Sequence, residues 1–302
     1  MKKPQIPDKR NKYIKIYIDG VLYSRDEAKI SVFDSTVQGG DAVWEGIRVY
    51  KGGIFMLNDH LNRLIDSAKA MHFDKIPSKE SINNAIIKTL KANKMTDEVH
   101  LRLTLSRGKK VTSGMSPEWN QYGCSLIVLA EWKKPVYNKN GIKLITSSIR
   151  RNTSQCIDSK IHHNNLINNI LAKIQANNAD VDDAVMLDVE GYVSETNATN
   201  IFIVKDKVLY TPFADSCLPG ITRKCVINIA KENNIPFKEK RISISELYTA
   251  DEMFVTGSMG ELTKIIEIDK RKLFFTENSS FFKKISVYFN NLTKKRSFLT
   301  KI

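Results

Sequence analysis

Lys160 is the first residue whose surroundings suggest chemistry. It stands in Asp158-Ser159-Lys160-Ile161-His162-His163-Asn164-Asn165, at the entry to a stretch with helical apolar spacing. A lysine there can simply be solvated. Held in a pocket, its amine could form an imine with an aldehyde, because desolvation or a nearby cation lowers its pKa. Glu195 lies in Gly191-Tyr192-Val193-Ser194-Glu195-Thr196-Asn197-Ala198-Thr199-Asn200, between two strand-like runs. A glutamate in that setting is often a turn residue. A carboxylate is also what keeps a pyridine nitrogen protonated, so that the ring acts as an electron sink. Leu218-Pro219-Gly220-Ile221-Thr222-Arg223 directly precedes the apolar spacing of Val226, Ile229 and Ala230. Glycine followed by threonine at a helix start exposes backbone N–H groups and a hydroxyl, which suits a phosphate. As a bare helix start it is ordinary. The strand-like Phe254-Val255-Thr256 runs into Gly257-Ser258-Met259-Gly260, a small-residue loop that could present more N–H donors to an anion.

The elements that must position these groups read as mixed α and β. Residues 13–23 alternate around Asp19-Gly20, a hairpin signal, and residues 47–56 form a second hairpin across Lys51-Gly52-Gly53. Leu61, Leu64, Ile65, Ala68 and Met71 predict a helix over 59–73. Ser78 is a candidate N-cap for a second, carrying Ile82, Ala85, Ile86 and Leu90. Strands follow at 99–106 and 125–130. The polar stretch 131–141, with Pro135 and Asn138-Lys139-Asn140-Gly141, is the candidate linker between a domain at 1–134 and one at 135–302. Beyond it come a strand at 142–147 and a helix at 165–177 with Leu166, Ile167, Ile170, Leu171 and Ile174 on one face. Short strands occupy 184–187, 192–194, 201–204 and 208–210. A helix runs from about Thr222 to Asn234, and a last one from near Ser279 to Leu292.

Composition narrows the classes. No segment approaches the roughly 20 apolar residues of a membrane helix. Met1-Lys2-Lys3-Pro4 is basic with no apolar run after it, so no secretory signal is expected and the cytosol is the expected location. Cys124, Cys156, Cys217 and Cys225 show no zinc spacing, and the adjacent His162-His163 pair is not a chelating one, so no metal is expected. The net charge of +14 comes from scattered lysines without an aromatic-studded basic motif, which argues against a nucleic-acid partner. Such a surface favours an anionic cofactor or substrate.

Taken in order and spacing, these segments resemble the class IV aminotransferases, pyridoxal-phosphate enzymes of fold type IV that include branched-chain and D-amino-acid aminotransferases. Glu45-Gly46-Ile47-Arg48, preceded by the aromatic Trp44, is similar to the branched-chain group, and His60-Leu61-Asn62-Arg63-Leu64 is similar to the family helix whose arginine reaches the cofactor phosphate. The resemblance runs from the hairpin near Tyr17 to about Phe275. It implies an α+β fold with a small N-terminal α/β domain and a larger C-terminal domain carrying a β-barrel-like sheet with flanking helices. It implies that Lys160 carries pyridoxal phosphate and shuttles the proton between the substrate Cα and the cofactor carbon. Glu195 would pair with the pyridine nitrogen. Arg63, Gly220, Ile221, Thr222 and Ser258 would hold the phosphate. Trp44, Arg102 and the N–H groups near Met259 and Gly260 would meet the substrate. The implied partners are an amino acid, a 2-oxo acid and a second copy of the chain in a homodimer.

The departures fall around the substrate. Branched-chain members usually carry tyrosines where this chain has Gly39, His100 and Asn165. Losing them removes hydroxyls and aromatic walls. The expected reaction is transamination of a branched-chain or related apolar L-amino acid with 2-oxoglutarate. D-amino-acid or (R)-amine transamination and an aminodeoxychorismate-type lyase are the alternatives, and a non-catalytic basic binding protein is a reading from another class.

Overall fold

The computed structural model describes residues 6–273 and 280–302. Met1-Lys2-Lys3-Pro4, Phe275 and Ser279 lie outside them. The chain divides into two compact units: Met1–Lys134 with Ile161–Asn165 and Thr293–Ile302, and Pro135–Lys160 with Leu166–Leu292.

In the first unit, β1 (Lys15–Ile18), β2 (Val21–Ser24), β3 (Ala42–Tyr50), β4 (Gly53–Phe55), β5 (Val99–Ser106) and β6 (Ser125–Trp132) form one antiparallel sheet, joined by the short strand Leu299–Thr300. The order is Leu299–Thr300, β4, β3, β5, β6, β1, β2. A five-residue helix the apolar spacing does not announce, α1 (Ser35–Gly39), is capped by Asp34, whose carboxylate accepts the Thr36 N–H at 2.8 Å. Helices α2 (Leu57–Ala70) and α3 (Lys79–Ala92) bury Leu57, Leu61, Leu64 and Ala68, and Ile82, Ala85, Ile86 and Leu90, against Val43, Ile47, Leu101, Leu103 and Val128. Each fully buried leucine or isoleucine contributes about 1.5–3 kcal/mol. Ser78 caps α3 by accepting the Ser81 N–H at 3.1 Å.

Register decides which side chains share a face, since cross-strand partners point the same way. Gly46 pairs with Arg102 and Arg48 with His100, so Trp44, Gly46, Arg48, His100 and Arg102 stand on the face turned away from α2 and α3. Glu45 belongs to the helix-covered face.

The second unit holds a nine-stranded sheet with the order β12, β11, β10, β13, β14, β7, β8, β9, and β15 paired with β14. Its strands are β7 (Ile142–Thr146), β8 (Asp183–Leu187), β9 (Val193–Thr196), β10 (Asn200–Lys205), β11 (Val208–Thr211), β12 (Phe237–Glu239), β13 (Glu252–Gly257), β14 (Glu261–Ile268) and β15 (Arg271–Lys272). β9 and β10 are five strand spacings apart in that order, roughly 24 Å in a flat sheet. Thr196 to Asn200 is four Cα steps, at most about 15 Å. The sheet must therefore curl until β9 returns toward β10, and the barrel-like sheet follows from connectivity.

Helix α4 (Ile167–Asn178) departs from the usual amphipathic arrangement. Its small residues Ala172 and Ala176 pack on Ala184 and Met186, while Ile167, Ile170, Leu171 and Ile174 are exposed. The apolar face expected from spacing exists, but it points outward. Helix α5 (Ile221–Glu232) follows Gly220, and α6 (Ile244–Tyr248) starts in a Ser243/Glu246 capping box. Helix α7 (Phe281–Leu292) begins on Glu252, which accepts the Phe281 and Phe282 N–H groups at 2.9 Å each. No helix is long and apolar enough to cross a membrane, among the described residues.

Candidate active site

The second unit holds Lys160, Glu195, the Gly220–Thr222 turn and Ser258, while Ile161–Asn165 of the Lys160 segment belongs to the first. Lys160 closes the segment before the chain passes to Ile161–Asn165. Its backbone N–H donates to the Asp158 carboxylate at 2.9 Å, while its side chain is exposed and makes no hydrogen bond or ion pair with the described residues. Glu195 is not a turn residue: it lies inside β9 and is 5% exposed. Arg151 Nε donates to its Oε1 at 2.8 Å and Asn200 Nδ2 donates to its Oε2 at 3.3 Å. Arg151 is itself held, its Nη1 donating to Asn168 and Asn169 at 3.2 Å each and its backbone N–H to Leu187 at 2.8 Å. Buried charges persist only when paired in this way. Neither Arg151 nor Asn200 was singled out by spacing. Arg151 is one arginine in a Lys/Arg-rich chain, and only the end of β7 next to β8 brings it to Glu195.

Gly220 precedes α5 without a side-chain cap, so the N–H groups of the first turn, Ile221 and Thr222 among them, are not satisfied by a capping side chain. Asn200 Nδ2 also donates to Leu218 O at 2.9 Å, and a Cβ on residue 220 would overlap the Asn200 amide oxygen. Asn200 thus ties the Glu195 carboxylate to the Gly220 turn. Arg223 points elsewhere, to Pro212 O at 2.8 Å and Glu239. At the end of β13, Thr256 keeps a buried hydroxyl without a hydrogen-bond partner, next to the Gly257–Gly260 turn.

These residues fit a phosphorylated pyridine aldehyde. The α5 N-terminus and the Thr222 and Ser258 hydroxyls offer phosphate donors. The orphaned Thr256 hydroxyl is a polar group awaiting a partner, and the Glu195 carboxylate is an acceptor fixed on both oxygens. Lys160 supplies a primary amine in the same unit. A separate cleft of about 250 Å³ lined by Tyr192, Phe213, Asp215 and Arg241 includes neither Lys160 nor Glu195.

The first unit contains a different cluster. Glu45 is fully buried, and burial alone would push its carboxyl up. Arg63 and His162 hold it well below the usual carboxylate range instead. Arg63 reaches it through Nε and Nη2, both at 2.8 Å, and the Nδ1 atoms of His60 and His162 lie 2.6 and 3.1 Å away. The structure therefore places the Arg63 guanidinium on Glu45, a partner the sequence reading did not assign. Ile161–Asn165 is laced to β3: the Trp44 N–H donates to His162 O at 2.9 Å and the Asn164 N–H to Ala42 O at 2.7 Å. Trp44 packs on His162, with ring centroids 4.2 Å apart, and the Arg102 guanidinium lies 3.6 Å from the Trp44 ring centroid. Arg102 Nη2 donates to Asn164 Oδ1 at 2.7 Å. Cation–π contact and the amide together fix this arginine. Gly39 ends α1.

His100 is 8% exposed, and its Nε2 has no hydrogen-bond partner. Burial, then the cations Lys133, Arg48 and Arg102, push it down from 6.5 to about 3. The folded chain then binds fewer protons than the unfolded chain between those values, so stability falls as pH drops from about 6.5 toward 3. One such group costs about 1.4 kcal/mol per pH unit across that window. His162, pushed down to about 4 chiefly by burial, acts with the same sign. Urea midpoints of the wild type and His100→Phe at pH 7, 6 and 5 should diverge, the variant losing less on acidification. Parallel losses would refute this assignment.

Among the described residues no group of His, Cys, Asp and Glu is arranged to hold a metal. The family model for class IV aminotransferases matches residues 42–268. A branched-chain-amino-acid aminotransferase-like protein of Arabidopsis thaliana is 58% identical over 269 residues, covering 89% of this chain and 48% of that protein. The chain spans about half the length of the Arabidopsis relatives it matches. A branched-chain-amino-acid aminotransferase of Pseudomonas aeruginosa is 36% identical over 268 residues, covering 85% of this chain and 86% of that protein. The solved T.th. branched-chain amino acid aminotransferase, complexed with N-(5'-phosphopyridoxyl)-L-glutamate, superposes with a TM-score of 0.88 at 32% identity, covering 96% of this chain and 99% of that one. By the family match over residues 42–268 and the likeness of the fold, the chain belongs to the class IV aminotransferases, pyridoxal-phosphate enzymes of fold type IV.

Proposed function

We propose that the chain transfers the amino group of a branched-chain or related apolar L-amino acid to 2-oxoglutarate. The observation that carries the reaction is Glu195, buried and fixed through both oxygens in the unit that also holds Lys160 and the uncapped α5 N-terminus. The names of the relatives support the branched-chain donor, and the glutamate adduct in the T.th. enzyme supports the dicarboxylate acceptor.

Pyridoxal phosphate supplies an aldehyde carbon and a protonated ring that draws electron density from the substrate Cα. Lys160 would hold that carbon covalently, and its amine would move the proton at Cα. Glu195 would keep the ring nitrogen protonated. Ile221 N–H, Thr222, Ser258 and Arg63 would hold the phosphate, with Gly220 allowing close approach. Arg102, fixed on Trp44, would attract a carboxylate, and the Met259 and Gly260 N–H groups would bind the α-carboxylate.

The four cysteines are free, which suits a reducing compartment such as the cytosol. The outward face of α4, with Ile167, Ile170, Leu171 and Ile174, supports a homodimer. We take residues 1–134 as a small domain and 135–302 as the cofactor domain.

Half-reactions test the substrate. Mixed separately with L-leucine, D-alanine and an (R)-amine, the pyridoxal-phosphate enzyme should lose its visible band with L-leucine alone. Bleaching by D-alanine only would replace this donor with a D-amino acid.

A further inference from the structure

The turn after β13 has the composition of an anion loop, yet glycine-rich turns are mobile unless something sets their peptide planes. Three contacts set this one, and two involve neighbouring residues of the 131–141 stretch. The Val136 N–H donates to Met259 O at 3.1 Å. A peptide is planar and trans, so pinning the Met259 carbonyl on one side aims the Gly260 N–H to the opposite side. Gly260 has no Cβ, and one built there would overlap the Tyr137 ring. The Thr263 hydroxyl donates to Gly260 O at 2.9 Å.

Tyr137 cannot drift from this position. Its hydroxyl donates to Asp183 Oδ2 and also meets the Thr199 hydroxyl. Burial, then the Asp183 charge, push the phenol up, so it remains a donor. Asp183 is 3% exposed, and its other oxygen accepts Asn197 Nδ2 at 3.1 Å and faces Lys173 Nζ at 3.3 Å. Asn197 in turn accepts the Ala184 N–H at 2.8 Å through Oδ1, and Asn169 Nδ2 at 2.9 Å through its backbone carbonyl. Asn169 Oδ1 accepts from Arg151, which holds Glu195. A continuous chain of buried and half-buried hydrogen-bonding groups thus runs from the carboxylate assigned to the ring nitrogen to the back of the anion turn. Every member lies in the second unit.

We propose that Tyr137 is a positioning residue for the substrate carboxylate: its ring and its hydrogen bond to Asp183 fix the Met259-Gly260 peptide whose N–H receives that carboxylate. The proposal rests on the amino-acid substrate reading above. It differs from a plain anchoring role for the 131–141 stretch, because an anchor would not discriminate between carboxylate and cofactor.

The test uses the holoenzyme with 4-methylpentanoate, a branched carboxylate lacking an amino group, titrated by calorimetry. Tyr137→Phe keeps the ring and loses the hydroxyl, Tyr137→Leu loses both, and Gly260→Ala presses a methyl on the ring. Each should weaken carboxylate binding, Tyr137→Leu by about tenfold, as a misplaced binding group does. The pyridoxal-phosphate dissociation constant of the apoprotein should move by less than about twofold, since the phosphate contacts are retained. Gly260→Ala combined with Tyr137→Leu should be less than additive, because both act on one contact. Wild-type binding that all variants share would overturn the proposal alone. So would an equal weakening of cofactor and carboxylate, which is the signature of a structural anchor. A wild-type holoenzyme that does not bind 4-methylpentanoate would overturn the substrate reading and the proposal with it.

Discussion

Lys160→Ala should lower kcat by on the order of 10⁴-fold or more, because it removes the amine proposed as both the covalent attachment and the acid–base group. The fold should survive. The Lys160 side chain is exposed and makes no bond to the described residues, so its removal opens no cavity and strands no partner. The variant should still bind pyridoxal phosphate through the α5 N-terminus, Thr222 and Ser258, with the spectrum of the free aldehyde. Single-turnover measurements with L-leucine, alongside a melting curve, separate lost chemistry from lost fold. Activity within tenfold of the wild type would remove Lys160 from the mechanism.

Glu195→Gln carries the second-largest expected effect. The amide keeps the shape but removes the charge proposed to stabilise the protonated ring nitrogen, and kcat should fall by about 10²–10³-fold, the size seen when one fixed electrostatic group is lost. Stability should fall as well. Arg151, whose side chain is 6% exposed, then faces an uncharged partner. Breaking a buried pair from one side costs about 3–5 kcal/mol, and the amides of Asn168 and Asn169 should hold the loss near the lower end. A thermal melt and kcat per folded molecule give the two numbers independently. An unchanged kcat would show that the ring nitrogen does not depend on Glu195.

Much of this site was legible because its groups sit in short contiguous segments. Singly the Lys160, Glu195, Gly220–Thr222 and Ser258 segments each admit an ordinary reading, and their order and spacing along the chain single them out, while helix starts and strand ends can be read from periodicity. Lys160, Glu195, Gly220–Thr222 and Ser258 all belong to the second unit. What spacing could not show are the groups that meet across strands. Arg151 is 44 residues from Glu195, and Tyr137 is 46 residues from Asp183. Pairing of β7, β8 and β9 brings such residues together, and no local pattern encodes it. Asn200 was visible in the glutamate segment, but its role depends on the Gly220 turn lying beside it. Two readings changed in kind. Glu195, placed between strands by composition, is inside β9, because small β-compatible residues flank it. The apolar face of α4 was found by periodicity, but periodicity cannot tell a face against the core from a face toward solvent. The alanines Ala172 and Ala176, allowing close approach to β8, decided which side turned inward.

The polar face of β3 and β5 carries the residues proposed to meet the substrate. Trp44 and Arg102 form a fixed cationic surface, and His100 stands buried and neutral where the branched-chain group usually has a tyrosine. Asn165 packs against Gly40 rather than supplying a hydroxyl. An arginine that is already oriented loses little entropy on meeting a carboxylate. Such an arginine suits the dicarboxylate acceptor proposed above.

Reductive trapping tests the central claim most directly. The protein loaded with pyridoxal phosphate is treated with borohydride, digested, and its peptides are weighed and sequenced by mass spectrometry. The account predicts a phosphopyridoxyl group on the peptide containing Lys160, stoichiometric with protein and absent when L-leucine is added before the reductant. A modification on another lysine, or none, would contradict it.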